Sequence, residues 1–245
     1  MKVSGKSILE NLHHLGASLR VNRSAKKFAG DEPPLRSELF SSEQMKQHGK
    51  TLAGSHKLGP GGIRDRLLTR LAENERILTG ACKLLTSAVN ANRRIAPAGE
   101  WLLDNFYLIE EQIRMAKKHL PKGYSKELPR LVEGPSAGLP RVYDIAHEAI
   151  SHGDGRVDLE SLRSFVASYQ TVTVLTLGEL WAIPIMLRLA LIENLRRVGA
   201  RIVTGSIDRD LASRWAEQMM EIAEKDPKSL ILLTADMARS NPPMV

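Results

Sequence analysis

The chain has 245 residues, of which 42% are hydrophobic, 26% charged and only 4% aromatic, and its net charge is +7. That length allows one or two cores, and few aromatics with much Leu, Ala, Arg and Glu favour packed helices over a β-sandwich. The single cysteine, Cys82, excludes an internal disulfide and any cysteine-based zinc cluster.

Residues 1–34 contain one amphipathic stretch, Ile8 to Leu19, followed by a basic run with Arg20, Arg23, Lys26 and Lys27 that ends at Asp31-Glu32-Pro33-Pro34. This reads as a loosely attached helix and a linker, with the helical domain occupying 35–245. Residues 1–60 hold ten Lys/Arg against five Asp/Glu, so most of the positive charge lies at this end. The 20–27 run could touch an anionic membrane surface. No aromatic residues interleave with it, so nucleic acid is not an expected partner. No apolar signal region follows Met1.

Ser41-Ser42-Glu43 opens a short helix that stops before the breaker Leu58-Gly59-Pro60-Gly61-Gly62. A long helix follows over about Ile63–Asn90, with Leu67, Leu71, Leu78, Ala81, Leu85 and Ala88 on one face. Pro97 starts the next helix, which is expected to run unbroken to about Leu120. Its seam of Leu102, Phe106, Ile109, Ile113, Ala116 and Leu120 alternates steps of four and three. Residues 123–140 are a Gly/Pro corner with about one helical turn, and a subdivision is possible there. Helices are expected at about Arg141–Ser151, Asp158–Thr171, Thr176–Val198, Asp208–Glu224 and Pro227–Ala238. Thr171–Leu175 has strand composition but reads as a loop between helices. The fold class is therefore all-α, a multi-helix bundle or irregular helical array.

The stretch Gly178–Arg197 is nearly apolar enough to span a bilayer, but Glu179, Arg188 and Glu193 interrupt it, which argues for a buried helix outside the membrane. At about 100° per residue, Pro184, Ile185, Leu191, Ile192 and Leu195 surround Arg188, while Glu179, Glu193 and Arg197 cluster opposite. Arg188 must lift its guanidinium to the surface or meet a carboxylate. Thr176 and Glu179 form a capping-box pattern, which makes Pro184 an interior kink; a helix starting at Pro184 is the other reading.

Four patterns with chemical overtones are set aside. His147 and His152 are five apart and cannot share a helix face as a zinc-protease pair must. Asp208-Arg209-Asp210 resembles a transferase acidic pair but lacks a preceding nucleotide-binding strand, and Ser206-Ile207-Asp208 reads as a helix start. Ser213-Arg214-Trp215 resembles the end of a Gln-x-x-Arg-Trp motif, with Leu211 where glutamine belongs. Glu110 and Glu111 diverge by about 100°, so Glu110 is expected to pair with Arg114 at i,i+4. Asp104 and Asn105 beside Trp101, Phe106 and Tyr107 form a candidate polar recognition patch or an ordinary helix face.

Several segments in colinear order resemble one family: Arg36–Ser41, Leu71–Arg76, Glu100–Phe106 with Glu110–Arg114, Leu120–Tyr124 with Glu127–Pro129, Gly138–Tyr143 and Gly178–Arg197. From about residue 36 to 200 the chain resembles the amino-terminal region of bacterial cyclic β-1,2-glucan synthases. The resemblance implies a very large inner-membrane parent that polymerises glucose from UDP-glucose. It places this chain in the cytoplasmic region ahead of the membrane segments, with those segments and the transferase as partners. The ending at Pro242-Pro243 suggests that more chain follows. For this segment no catalytic residue, cofactor or metal is expected. Its structural or partner-contact residues are Trp101, Asp104, Asn105, Glu110, Arg114, Arg141, Tyr143, Glu179, Trp181, Pro184, Arg188 and Glu193. The competing reading is a free-standing helical interaction module at the membrane surface.

Overall fold

A computed structural model describes residues 33–35, 37–59, 66–120, 122–227, 230, 231, 234 and 235. The expected helix at Ile8–Leu19 and the basic run at 20–27 lie outside the described residues, and most of Pro227–Ala238 does too. Among the described residues the chain is all-α apart from one tiny ribbon. Its elements are α1 (Ser42–Ser55), β1 (Leu58–Gly59), α2 (Arg66–Asn90), α3 (Pro97–Asp104), α4 (Phe106–His119), α5 (Tyr124–Glu127), β2 (Arg130–Leu131), α6 (Arg141–His152), α7 (Leu159–Gln170) and α8 (Leu177–Lys225).

Local chemistry explains most of the boundaries. Ser41 caps α1 in a full capping box with Gln44, and Asp158 caps α7 by accepting from the Ser161 amide. Pro97 stands in the first turn of α3. Thr176 and Glu179 form the capping box that starts α8, and Pro184 lies inside that helix.

Three expectations are corrected. The helix from Pro97 breaks at Asn105, whose backbone (φ −104°, ψ 7°) leaves the helical region. Its side-chain Nδ2 donates to the Trp101 carbonyl at 2.8 Å, the local competition that makes asparagine a poor interior helix residue. The seam survives the break, with Leu102, Ile109, Ile113, Ala116 and Leu120 all buried. Second, Thr176–Val198 and Asp208–Glu224 are one continuous helix of 49 residues. Gly199 does not end it because tertiary packing overrides propensity there: a side chain at Gly199 would contact Leu78, Ala81 and Leu102. Ser206-Ile207-Asp208 is therefore helix interior and caps nothing. Third, Leu58 pairs with Leu131 and Gly59 with Arg130 in an antiparallel ribbon. A pair of two-residue strands has no periodicity from which it could be predicted.

Around that ribbon the 123–140 corner folds on itself. The Gly138 amide donates to the Leu131 carbonyl at 2.7 Å, and Arg130 donates to the carbonyls of Gly138 (2.9 Å) and Ser125 (3.2 Å). Gly138 takes φ +82°, a conformation glycine adopts without the steric cost of a side chain.

α8 is the axis of the molecule, packing against α2, α3, α4 and α6, while α1 packs on α7. The main core joins Leu67, Leu71, Leu78 and Leu85 of α2 to Val142 and Ile150 of α6 and Met186, Ala190 and Ile192 of α8. A second core holds Met45 and Leu52 of α1 against Phe165 and Tyr169 of α7. Ala149, Leu162 and Ile183 pack against both. Further along α8, buried Leu211 and Trp215 form a small third cluster with Met219 and Ile222.

Candidate functional site

The charged residues of α8 are arranged inside out relative to the amphipathic expectation. Glu179 and Glu193 are fully buried, at 0% exposure, whereas Arg188 is partly exposed and donates from Nε to Gln112 Oε1 of α4 at 3.1 Å. The helical wheel correctly put the two glutamates on one face. That face points inward because the first half of α8 is covered on most sides, and the stripe left outward there is Leu177, Trp181, Pro184 and Arg188. Arg188 takes the surface route, without a carboxylate partner among the described residues.

Glu179 meets buried Arg141 of α6 in a bidentate pair. Arg141 donates from Nε to Oε1 at 2.5 Å and from Nη2 to Oε2 at 2.8 Å, and Nη2 also reaches the Val174 carbonyl. Glu179 Oε2 accepts from the Thr176 amide at 2.8 Å, so one carboxylate both caps α8 and clamps it to α6. Burial pushes the Glu179 carboxyl up, but the Arg141 hydrogen bonds more than reverse this and hold it below its ordinary value. The Arg141 guanidinium lies over the Tyr169 ring, 6.0 Å from its centroid. From Tyr169 the polar chain continues outward: its hydroxyl is 2.8 Å from His56 Nδ1, and His56 Nε2 is 3.1 Å from Asp144 Oδ2. Ser136 hydrogen-bonds the other oxygen of Asp144.

Glu193 is the second clamp. Arg70 of α2 donates to both its oxygens (Nε 3.0 Å, Nη2 2.7 Å), Asn74 adds a bond at 2.8 Å, and Arg196 and Arg197 approach Oε1 at 2.6 and 3.1 Å. Burial again raises this carboxyl, but the Arg70 bonds and charge, with Arg196, lower it to about 2. Arg197 Nη1 also reaches the Pro33 carbonyl, and the Leu35 amide donates to Asn194, so the segment before α1 is tied to the same point on α8. Tyr143 is buried beside this cluster; burial, then the Glu193 charge, push its hydroxyl up to about 12. It is a core residue here.

The other expected contact residues lie at the surface. Trp101 is 55% and Trp181 73% exposed, and Asp104, Glu110, Arg114 and Pro184 are exposed while Asn105 is half-buried in the α3–α4 turn. Both Glu110 and Arg114 are exposed and no ion pair joins them, contrary to expectation; surface pairs of this kind contribute little, so nothing compels them to form. Asp210 pairs with Arg93, in line with a structural part, and Trp215 is core.

Sequence reasoning weighed His152 only against His147 and missed its grouping with His48 and Glu148. Glu148 and His152 stand one turn apart on α6, and α1 brings in His48 from 100 residues away. The i,i+4 spacing was available, but the long-range partner had no local signal. His147, by contrast, is held below its ordinary imidazole range by burial and then by the Arg197 charge.

Together these features define a helical scaffold in which one long helix is clamped to its neighbours by buried carboxylates, and in which no described helix is long and apolar enough to cross a membrane. No family model matches the chain. Over 204 residues, 82% of its length, it is 31% identical to the cyclic beta-(1,2)-glucan synthase NdvB of Rhizobium meliloti (strain 1021). The resemblance to the cyclic β-1,2-glucan synthases read from residues 36–200 is thereby borne out. The chain spans only 7% of that relative's length.

Proposed function

We propose that this chain is the non-catalytic, amino-terminal cytoplasmic part of a cyclic β-1,2-glucan synthase, a scaffold for the membrane and transferase parts of the same protein. The whole protein would be a UDP-glucose-dependent glucosyltransferase of the inner membrane. The match to NdvB over most of this chain carries the reading. Its chemistry agrees: the deeply buried carboxylates, Glu179 and Glu193, are consumed in arginine pairs, which leaves them no role at a reacting sugar. The outward stripe of Trp181, Pro184 and Arg188 is the contact surface for the rest of the synthase, and the 20–27 basic run can add attraction to anionic lipid.

The test uses a full-length synthase carrying this segment. Trp181→Ala with Arg188→Ala should lower cyclic glucan output while the isolated chain keeps its thermal stability. Titration of the isolated chain with UDP-glucose should show neither turnover nor micromolar binding. Turnover by the isolated chain would sink the non-catalytic reading. Unchanged glucan output from the double variant would sink the docking role.

A further inference from the structure

We propose that His48, Glu148 and His152 form a zinc(II) site that pins α1 and the segment before it to α6. The three side chains offer two imidazole nitrogens and a carboxylate oxygen, all within 4.8 Å of one another. Glu148 Oε2 lies 2.8 Å from His48 Nε2 and 3.4 Å from His152 Nε2. Ligands at zinc bond lengths and tetrahedral angles stand roughly 3.3 Å apart, so small side-chain adjustments suffice.

The proton positions favour a cation. His152 Nδ1 lies 2.7 Å from the Glu38 carbonyl, which can only accept, so Nδ1 carries the proton. In the neutral ring, Nε2 then aims its lone pair at the Glu148 carboxylate. A metal ion between them turns that repulsion into ligation, and a carbonyl on the far nitrogen is the orienting contact that metal-binding histidines use. The ring planes are fixed as well: Phe40 stacks on His152 at 3.8 Å between centroids and meets His48 edge-on at 5.3 Å, while Phe165 stacks on His48 at 6.0 Å. His152 also lines a cavity of about 200 Å³ with Phe40, Met45 and Leu162, so open space adjoins one of the three ligands. Two histidines, one glutamate and a water form a common zinc ligand set.

Chelator-treated chain titrated with zinc(II) by calorimetry should take up one ion and melt at a higher temperature. Cobalt(II) should give the visible absorption of a tetrahedral site. His48→Gln and Glu148→Gln should each abolish the stoichiometric uptake, while His147→Gln, one residue away, should keep it. Wild-type chain that takes up no zinc overturns the proposal, however the variants fold. Uptake unchanged in His48→Gln also overturns it, because the metal then belongs to other histidines.

Discussion

At the residue scale the decisive group is Glu193, one carboxylate facing the guanidiniums of Arg70, Arg196 and Arg197. Glu193→Gln leaves these cations around a neutral amide in a buried place and is expected to cost about 3 kcal/mol or more in chemical denaturation. The pH dependence follows from the same contact. A carboxyl held at about 2 in the folded chain and at its ordinary value of 4.5 when unfolded contributes stability above the unfolded value. That contribution is lost as pH falls from about 4.5 toward 2, and it amounts to on the order of 3 kcal/mol. Melting curves across this range should flatten in Glu193→Gln. Arg188 behaves oppositely: its bond to Gln112 is exposed, so Arg188→Leu should shift stability by no more than about 0.5–1 kcal/mol in the same assay.

At the element scale, most helices were legible because caps and apolar spacing act locally. The helix start at Ser41, the capping box at Thr176, Pro97 in its first turn and the Leu102–Leu120 seam all appear where the sequence puts them. What could not be read depends on distant partners: continuation through Gly199, pairing of Leu58 with Leu131, and the inward turn of the glutamates. Gly49 shows how such a contact is built. A β-carbon there would lie 2.8 Å from the Phe165 carbonyl oxygen and 3.1 Å from its ring, so α1 and α7 touch backbone to backbone. Gly49→Ala is expected to destabilise the chain by about 2 kcal/mol, despite alanine's better helix propensity, and denaturant unfolding would measure it. An equal or higher midpoint would show that the two helices can separate cheaply.

At the scale of the whole molecule, α8 gathers the other elements: Glu179 holds α6, and Glu193 holds α2 and, through its neighbours, Pro33 and Leu35. This arrangement has a consequence for how the chain is made. Arg70 and Glu193 are 123 positions apart, and the apolar face of α2 closes on residues equally far downstream. A ribosome adding about 5–20 residues per second leaves the part of that face that meets α8 uncovered for roughly ten seconds of synthesis. During that interval Leu67, Leu71, Leu78 and Leu85 lack their α8 partners, and slower translation through residues 90–190 is expected to lengthen their exposure to chaperones and neighbouring nascent chains.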